Sequence, residues 1–368
     1  MDVAMWLALP GAVMWVGLLL VPWLPWLTRE HLEPEPAGKA DVSGVTVLVP
    51  ARDEAAVLAR TLVGLRAQGE GLKIIVIDDE STDGTATIAR SAGAEVVAGS
   101  VRPEGWVGKL WALEQGLRQV QTPLVLLLDA DIELKPGMLA ALLRRKRAQG
   151  VQFISLMADL RRTSFWDTLL LPAFVYYFKL LYPFAVSNSR SRWVAAAAGG
   201  CVLVETQALR TAGAFASLRD ALIDDCTLAR RIKDSGGRTW AGLSRGVVSL
   251  RPYGSLGSIY QMVARSAYTQ LHYSVALLLV VTALFALAYW LPVVALLSAS
   301  PNGMGVAAVA LAAMVASYVP TLRYYGVPVL YALLLPVTAT LYLAMTWGSA
   351  LRYWRGVRSL WKGRSYAR

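Results

Sequence analysis

Five apolar residues in succession, Leu124-Val125-Leu126-Leu127-Leu128, run directly into Asp129-Ala130-Asp131, and no other feature limits the fold of this chain so tightly. A short unbroken apolar run reads as a strand buried on both faces, which needs a sheet covered by helices on either side. Its ending is chemically costly. Unpaired carboxylates resist desolvation, so two of them one residue apart do nothing for a buried strand. A divalent cation removes the difficulty, because Mg²⁺ or Mn²⁺ favours carboxylate oxygens and is commonly shared with substrate phosphates. The carboxyl end of a central strand is also where ligands sit in open α/β sheets. An isolated Asp-x-Asp reads more readily as a solvated strand–loop junction; the company this one keeps reverses that.

Strand-like and helix-like segments alternate around it. Val45–Pro50, Lys73–Ile77 and Glu95–Val97 are apolar or β-branched strands, and Glu54–Gln68, Gly84–Ala92, Gly108–Val120 and Pro136–Ala148 are helical. Leu58, Leu62 and Leu65 share one face of the first helix. Alternation with short connections predicts an α/β, doubly wound, mostly parallel sheet.

The termini are of another kind. Val3 to Leu27 contains no charged residue and is long enough for a bilayer core of roughly 30 Å; it is too long and too rich in Trp and Pro for a cleaved leader. Three further apolar stretches follow, near Ser274–Leu297, Met304–Leu322 and Pro328–Ser349. The expected organisation is a transmembrane helix over 1–27, a linker over 28–42, a soluble domain over 43–270, transmembrane helices over 271–350 and a basic tail over 351–368. The net charge of +11 is concentrated late: no Asp or Glu follows Asp234, while Arg323, Arg352, Arg355, Arg358, Lys362, Arg364 and Arg368 do. Basic residues beside membrane spans favour anionic headgroups and the cytoplasmic face. Arg interleaved with Trp354 and Trp361 fits a headgroup belt better than nucleic acid. Three C-terminal crossings, however, would leave the tail opposite the soluble domain. Residues 164–186, rich in Trp, Phe and Tyr yet carrying Asp167, Lys179 and two prolines, suit an amphipathic segment in the membrane interface or a buried core helix; a crossing there would separate Asp129 and Asp131 from the acidic pair at 224 and 225.

Four further clusters carry chemistry. Pro50-Ala51-Arg52-Asp53-Glu54 closes a strand and opens a helix, where Asp53 alone reads as a cap. Ile77-Asp78-Asp79-Glu80-Ser81-Thr82-Asp83-Gly84 repeats the pattern; an acidic residue after a strand can hold a ribose or base, while Ser81, Thr82 and Asp83 suit turn and capping roles. Lys109, in the first turn of a helix, opposes the macrodipole and makes sense as counter-charge to a bound anion or as a plain surface lysine. Gly199-Gly200 permits close backbone approach, to substrate or to a helix. Adjacent Asp224 and Asp225 could cap their helix or raise one another's pKa and supply a general base. Cys201 and Cys226 lack metal-like spacing and read as reduced structural thiols, and only two histidines, His31 and His272, occur, neither near these clusters. A His-based triad or zinc hydrolase is therefore disfavoured.

Taken together, the V-P-A-R-D-E, I-D-D-x-S-T-D-G-T, G-K-x-x-A-L, D-x-D and D-D-x-x-L segments resemble the family 2 glycosyltransferases of GT-A fold, from about residue 45 to 270. Within them the arrangement of spans is most similar to the bacterial hopanoid-associated glycosyltransferases and, more distantly, to ceramide glucosyltransferases. The resemblance implies that Ala51, Asp53 and Asp79 contact the nucleoside and Lys109 the diphosphate region. It implies that Asp129 and Asp131 hold donor and metal, Asp131 more directly, and that Asp225 is the base. Gly199, Gly200, Asp224 and Arg265 are expected near the acceptor. In place of the Q-x-x-R-W of polymerising relatives stands Gln261-Met262-Val263-Ala264-Arg265-Ser266, with the arginine one place late and no Trp, which counts against a processive synthase.

The expected protein is thus a multi-pass enzyme of the inner (plasma) membrane with a cytoplasmic catalytic domain. It would move sugar from a nucleotide-sugar donor, UDP-linked by preference, to a lipid hydroxyl with a divalent metal. Its partners would be donor, lipid acceptor and anionic membrane, with no nucleic acid. The rivals are a polyprenyl-phosphate sugar synthase and, from another class, a transporter or membrane scaffold. The C-terminal spans hold almost none of the polar residues a transporter needs, and a scaffold has no use for D-x-D.

Overall fold

The computed structural model describes residues 2–35, 41–219, 223–298, 300–357, 360–361 and 364–365. The chain forms two compact units, one of Glu30–Arg161 and Phe184–Pro252, the other of Met1–Arg29, Arg162–Pro183 and Tyr253–Arg368. The soluble span expected over 43–270 therefore shares residues 162–183 and 253–270 with the helical unit.

The first unit is built on one sheet. Its strands are β1 (Val45–Ala51), β2 (Lys73–Asp78), β3 (Glu95–Ala98), β4 (Leu124–Leu128), β5 (Ile132–Leu134), β6 (Phe153–Asp159), β7 (Cys201–Glu205) and β8 (Thr239–Ser249). They lie in the order β3-β2-β1-β4-β7-β6-β8-β5. The first four are mutually parallel. β7 runs antiparallel to both β4 and β6, β6 and β8 are parallel, and β5 is antiparallel to β8.

β4 shows why an apolar run was required at its centre. Val125 and Leu127 join Leu110, Leu113, Leu117 and Leu228 on one face, while Leu126 and Leu128 join Leu58, Leu62 and Leu142 on the other. Successive side chains point to opposite faces, so only an unbroken apolar run can fill both layers. Each fully buried Leu here contributes roughly 1.5–3 kcal/mol. The helix Ala55–Arg66 buries Leu58, Thr61, Leu62 and Leu65 at helical spacing. Its N-terminal amides are served from the next turn: Glu54 N–H donates to Thr85 Oγ1 and Ala55 N–H to Asp83 Oδ2, each at 2.9 Å. Those bonds satisfy donors that every helix start leaves open.

From Glu30 onward the expected linker belongs to the sheet unit. Leu32 N–H donates to the Leu243 carbonyl and Leu243 N–H to the Glu30 carbonyl, each at 2.9 Å, while Glu33 pairs with Arg245 at 3.2 Å and Glu35 with Arg144 at 2.5 Å. The segment supplies backbone partners to β8 that the strand would otherwise seek from water.

In the helical unit, four helices are long and apolar enough to cross a membrane: Val3–Leu20, Val275–Leu296, Pro301–Tyr324 and Val329–Trp354. Close backbone approach is built in: a Cβ on Gly303 would lie 2.5 Å from the Ala4 Cβ, the small-residue packing apolar helices use. The aromatic segment forms the helix Phe165–Leu181, opened by a Ser164–Asp167 capping box. Its charges are not presented to water. Asp167 also accepts from Gly254 N–H at 3.0 Å, and the buried Lys179 ammonium donates to the Trp26 and Leu27 carbonyls at 3.3 and 3.0 Å and to Thr321 Oγ1 at 3.0 Å. Tyr176 is fully buried against Ser317 Oγ at 2.7 Å, whereas Phe165 and Leu181 at its ends are exposed. Of the basic tail, Arg358, Lys362 and Arg368 lie outside the described residues.

Candidate active site

Continuing β4 by one residue reaches Asp129. Leu128 faces Cys201 across the antiparallel β4–β7 pair, and Asp129 N–H donates to the Gly200 carbonyl at 3.1 Å. The neighbouring Gly199 N–H donates to Asp225 Oδ2 at 2.8 Å, and Cys226 N–H donates to Oδ1 at 2.7 Å. A Cβ on Gly199 would stand 3.5 Å from the Asp225 Cβ and 3.6 Å from Lys109 Nζ. The two glycines thus form a side-chain-free bridge between Asp129 and Asp225. Pro50, Lys109, Asp129, Gly199, Asp224 and Asp225 line one pocket.

Its electrostatics are set by crowding of like charge. Asp225 opens the helix Asp224–Asp234. Burial, then the adjacent Asp224, push its carboxyl up to about 7, against the opposing pull of the Cys226 amide, Lys109 and the Gly199 amide. Lys109 is ion-paired with Asp129. Burial works against its ammonium, but Asp129, Asp224 and Asp225 outweigh that and raise its pKa overall, so the cation persists where a plain surface lysine would face water. Asp131 is raised as well, by burial and by Asp129, with Arg251 opposing; Arg251 Nε lies 3.3 Å from Asp131 Oδ2 and its Nη2 2.5 Å from Glu54 Oε2.

Among the described residues no group of three or more His, Cys, Asp or Glu side chains makes a self-contained metal cage. Asp129 and Asp131 offer two carboxylates, the donor set on which Mg²⁺ is commonly held together with substrate phosphates. The upward push on Asp131 marks an anion that a further positive charge would stabilise. The residues present fit a divalent cation shared with a diphosphate.

Ala51, Asp53 and Asp79 stand at the carboxyl ends of β1 and β2, beside β4 on the same edge. The Ala51 carbonyl accepts Asp79 N–H at 2.8 Å. The buried Asp79 carboxylate lies 3.6 Å from Arg52 Nη1. Asp53 does not cap its helix. It adopts φ 50°, its Oδ1 accepts from Thr82 N–H at 2.8 Å, and its own N–H donates to Ser81 Oγ at 3.0 Å. Asp53 and Glu80, both left-handed, hold this turn in a sparsely populated conformation of the kind concentrated at binding sites. Ser81 and Thr82 bond Asp53 within the turn, and Asp83 accepts from Ala55 N–H and Thr85 N–H, while the N-cap of the helix that follows is Gly84.

Arg265, the C-cap residue of the helix Leu256–Ala264, and Gln261 are exposed members of the helical unit. Both cysteines are free and buried, and burial together with Asp129 pushes Cys201 up to about 12. Sequence reasoning missed Arg251, which follows β8 outside any motif. The signal available was indirect: two carboxylates at a buried strand end call for a cation.

The family model described as Glycosyl transferase family 2 matches residues 46–212. Over that stretch the chain is similar to family 2 glycosyltransferase domains. Asp224, Asp225 and Arg251 lie beyond it. A 4,4'-diaponeurosporenoate glycosyltransferase from Staphylococcus haemolyticus is 37% identical over 92 residues, 24% of each chain. One from Staphylococcus aureus is 35% identical over 108 residues, 29% of each. The chain thus spans about a quarter of the length of these curated relatives. A solved mannosyltransferase from Pyrobaculum calidifontis, in complex with GDP-Man and Mn²⁺, aligns over 95% of this chain and 98% of its own with a TM-score of 0.52 at 20% identity. That likeness concerns the fold, which is of the GT-A type.

Proposed function

We propose that this protein is a membrane-bound inverting glycosyltransferase that moves a sugar from a nucleotide-sugar donor, UDP-linked by preference, to a lipid hydroxyl. The observation that carries the proposal is the pocket itself, in which an elevated Asp225 carboxylate stands across Gly199-Gly200 from the Lys109–Asp129 pair. Direct displacement needs a base on the acceptor oxygen, and Asp225 takes that proton as the oxygen bonds to the sugar C1. The bond from C1 to the diphosphate breaks at the same time, with inversion. A base of this kind contributes about 10²–10⁴-fold. Lys109 counters charge on the departing diphosphate; Ala51, Asp53 and Asp79 hold the nucleoside. Asp129 and Asp131 would hold the divalent cation, which when bound offsets the negative charge of the leaving group.

Two features favour a lipid acceptor. Four helices long and apolar enough to span a membrane put the enzyme among lipids, and the matched relatives are named as 4,4'-diaponeurosporenoate glycosyltransferases. A hopanoid or similar isoprenoid lipid is the acceptor class this supports; the relatives are named for a carboxylate, and the hydroxyl rests on Asp225 as base. A phosphorylated acceptor needs no base and would meet Asp129, Asp224 and Asp225 with charge of their own sign. The catalytic unit is assigned to the cytoplasmic side of the inner (plasma) membrane.

Purified full-length protein incubated with a panel of nucleotide sugars and bacterial lipid extract tests the proposal. Mass spectrometry should find a glycolipid, with nucleoside diphosphate released in step. A water-soluble acceptor used as well as any lipid would refute the acceptor class; no turnover of any donor would refute the transferase.

A further inference from the structure

Residues 187–194 form a loop wound around one ammonium group. Lys233 Nζ, buried, donates to the carbonyls of Ser187 at 2.5 Å, Ser191 at 2.8 Å and Val194 at 2.8 Å, and Arg230 Nη2 donates to the Trp193 carbonyl at 2.6 Å. Ala196 N–H donates to Ser187 Oγ at 2.7 Å, closing the loop, and Ala197 N–H reaches Cys226 Sγ at 3.4 Å. The loop buries Ser187 and seats Asn188 against Ala241, and turns outward the side chains at its tip. Trp193 is 89% exposed, and Arg190 and Arg192 beside it are exposed too. Among the described residues neither arginine has an ion-pair partner.

A rigid loop that displays an indole between guanidinium groups has a definite physical preference. Indole rings concentrate at the level of lipid headgroups, where one edge is apolar and the other wet. Arginines beside it are drawn to anionic headgroups, each by roughly five-fold in partition at a typical anionic surface. A solvated loop has no need of a wholly exposed Trp, and a chain with four helices long and apolar enough to span a membrane always has that surface at hand.

We propose that the Arg190–Trp193 tip docks onto the headgroup layer of an anionic membrane. The helix that anchors the loop through Arg230 and Lys233 is the one that begins with Asp224 and Asp225. A docked tip is therefore tied by hydrogen bonds through Arg230 and Lys233 to the helix that carries the proposed base. This docking stands whether or not the acceptor is a lipid.

The test reads the environment of the loop and not turnover. Full-length Trp193→Cys carries an environment-sensitive fluorophore, Cys201 and Cys226 being buried, in nanodiscs of phosphatidylcholine with or without phosphatidylglycerol and with nitroxide-labelled headgroups. The expected result is a blue-shifted dye quenched severalfold more with phosphatidylglycerol than without, and losing that gain when Arg190→Glu and Arg192→Glu are added. Donor binding, measured on the same samples, should be unchanged by the charge reversals and certifies the fold. A dye that stays water-like in both nanodiscs overturns the proposal, as would its protection by an added acidic protein or RNA alone. Equal quenching in both lipids, unaffected by the reversals, overturns the anionic surface as partner.

Discussion

Asp225 allows a prediction whose size follows from its surroundings. Burial and Asp224 hold its carboxyl near 7, so kcat/KM for transfer should climb as pH rises through about 7 and then level off. One unit below that value only about a tenth of the molecules carry the carboxylate, and the rate should fall in proportion. Asp225→Asn removes the proposed base: transfer should drop about 10²–10⁴-fold and the ascending limb should vanish. The fold should survive. The amide offers one oxygen to the two amides, Gly199 and Cys226, that the carboxylate serves, and losing one buried acceptor costs roughly 1–3 kcal/mol. Asp224→Asn makes the reasoning sharper. With the like charge gone, the limb should move to lower pH while the plateau rate persists within about ten-fold. The assay is initial-rate kinetics across pH with donor affinity by calorimetry at each point. A variant Asp225→Asn that keeps the same ascending limb, or an Asp224→Asn limb that moves upward, would show that Asp225 is not the titrating base. The same shift has a stability signature: between 3.8 and about 7 the folded chain keeps a proton the unfolded chain releases, so stability should decline as pH rises through that window and Asp225→Asn should flatten the decline in thermal melts.

Asp131→Asn should lower transfer by more than about 10²-fold with an unchanged melting temperature, and a chelator should reproduce the loss in the native enzyme; full turnover in excess chelator refutes the metal assignment. Lys109→Gln removes a cation that lowers the Asp225 pKa, so the ascending limb should shift to higher pH and donor affinity should weaken by about ten-fold or more, roughly 1.4 kcal/mol. Gly199→Ala should fold normally, because the added methyl would make ordinary contacts at 3.5 and 3.6 Å, yet it occupies the space between Asp225 and Lys109; kcat should fall while donor binding holds. Leu126→Ala, wholly buried in the central strand, should cost about 2–5 kcal/mol in denaturant unfolding.

The first half of the sheet was legible because each of its strands announces itself locally. Lys73–Asp78 and Leu124–Leu128 are apolar runs closed by acidic residues, and parallel strands joined by short helices admit few arrangements. β5 has three residues, too few for periodicity to speak, and β7, as long as β4, was missed because it pairs antiparallel with strands distant in sequence. The site divides in the same way. Lys109, Asp129, Asp131 and Asp225 stood out because each is a charge where local structure gives it no purpose. Arg251 did not, since its carboxylate partner Glu54 lies 197 residues away. In the aromatic helix, Asp167 and Lys179 counted against a membrane crossing, and what sequence could not show is that a capping box and three oxygen acceptors satisfy them in the interior.

The reversal of direction at β7 explains how the site is assembled. Had β7 run parallel to β4, its amino end would lie beside Leu124 and its preceding loop at the far edge of the sheet. Antiparallel pairing instead sets Cys201 against Leu128, so the residues before β7 and those after β4 meet. Gly199-Gly200 therefore abuts Asp129, and the amide of Gly199 reaches the Asp225 carboxylate. One strand leads into Asp129 and Asp131, the proposed donor-binding anions, and the next, entering from the same end, carries the bare backbone whose amide bonds the proposed base. Sterics alone do not demand either glycine, since a Cβ on Gly199 or Gly200 would meet its neighbours at ordinary contact distances of 3.4–3.6 Å; what their bareness leaves is open space between the carboxylates. The two halves of the proposed chemistry, departure of the diphosphate and deprotonation of the acceptor, are thus joined by a single antiparallel rung, and a substitution that moves that rung should impair both together.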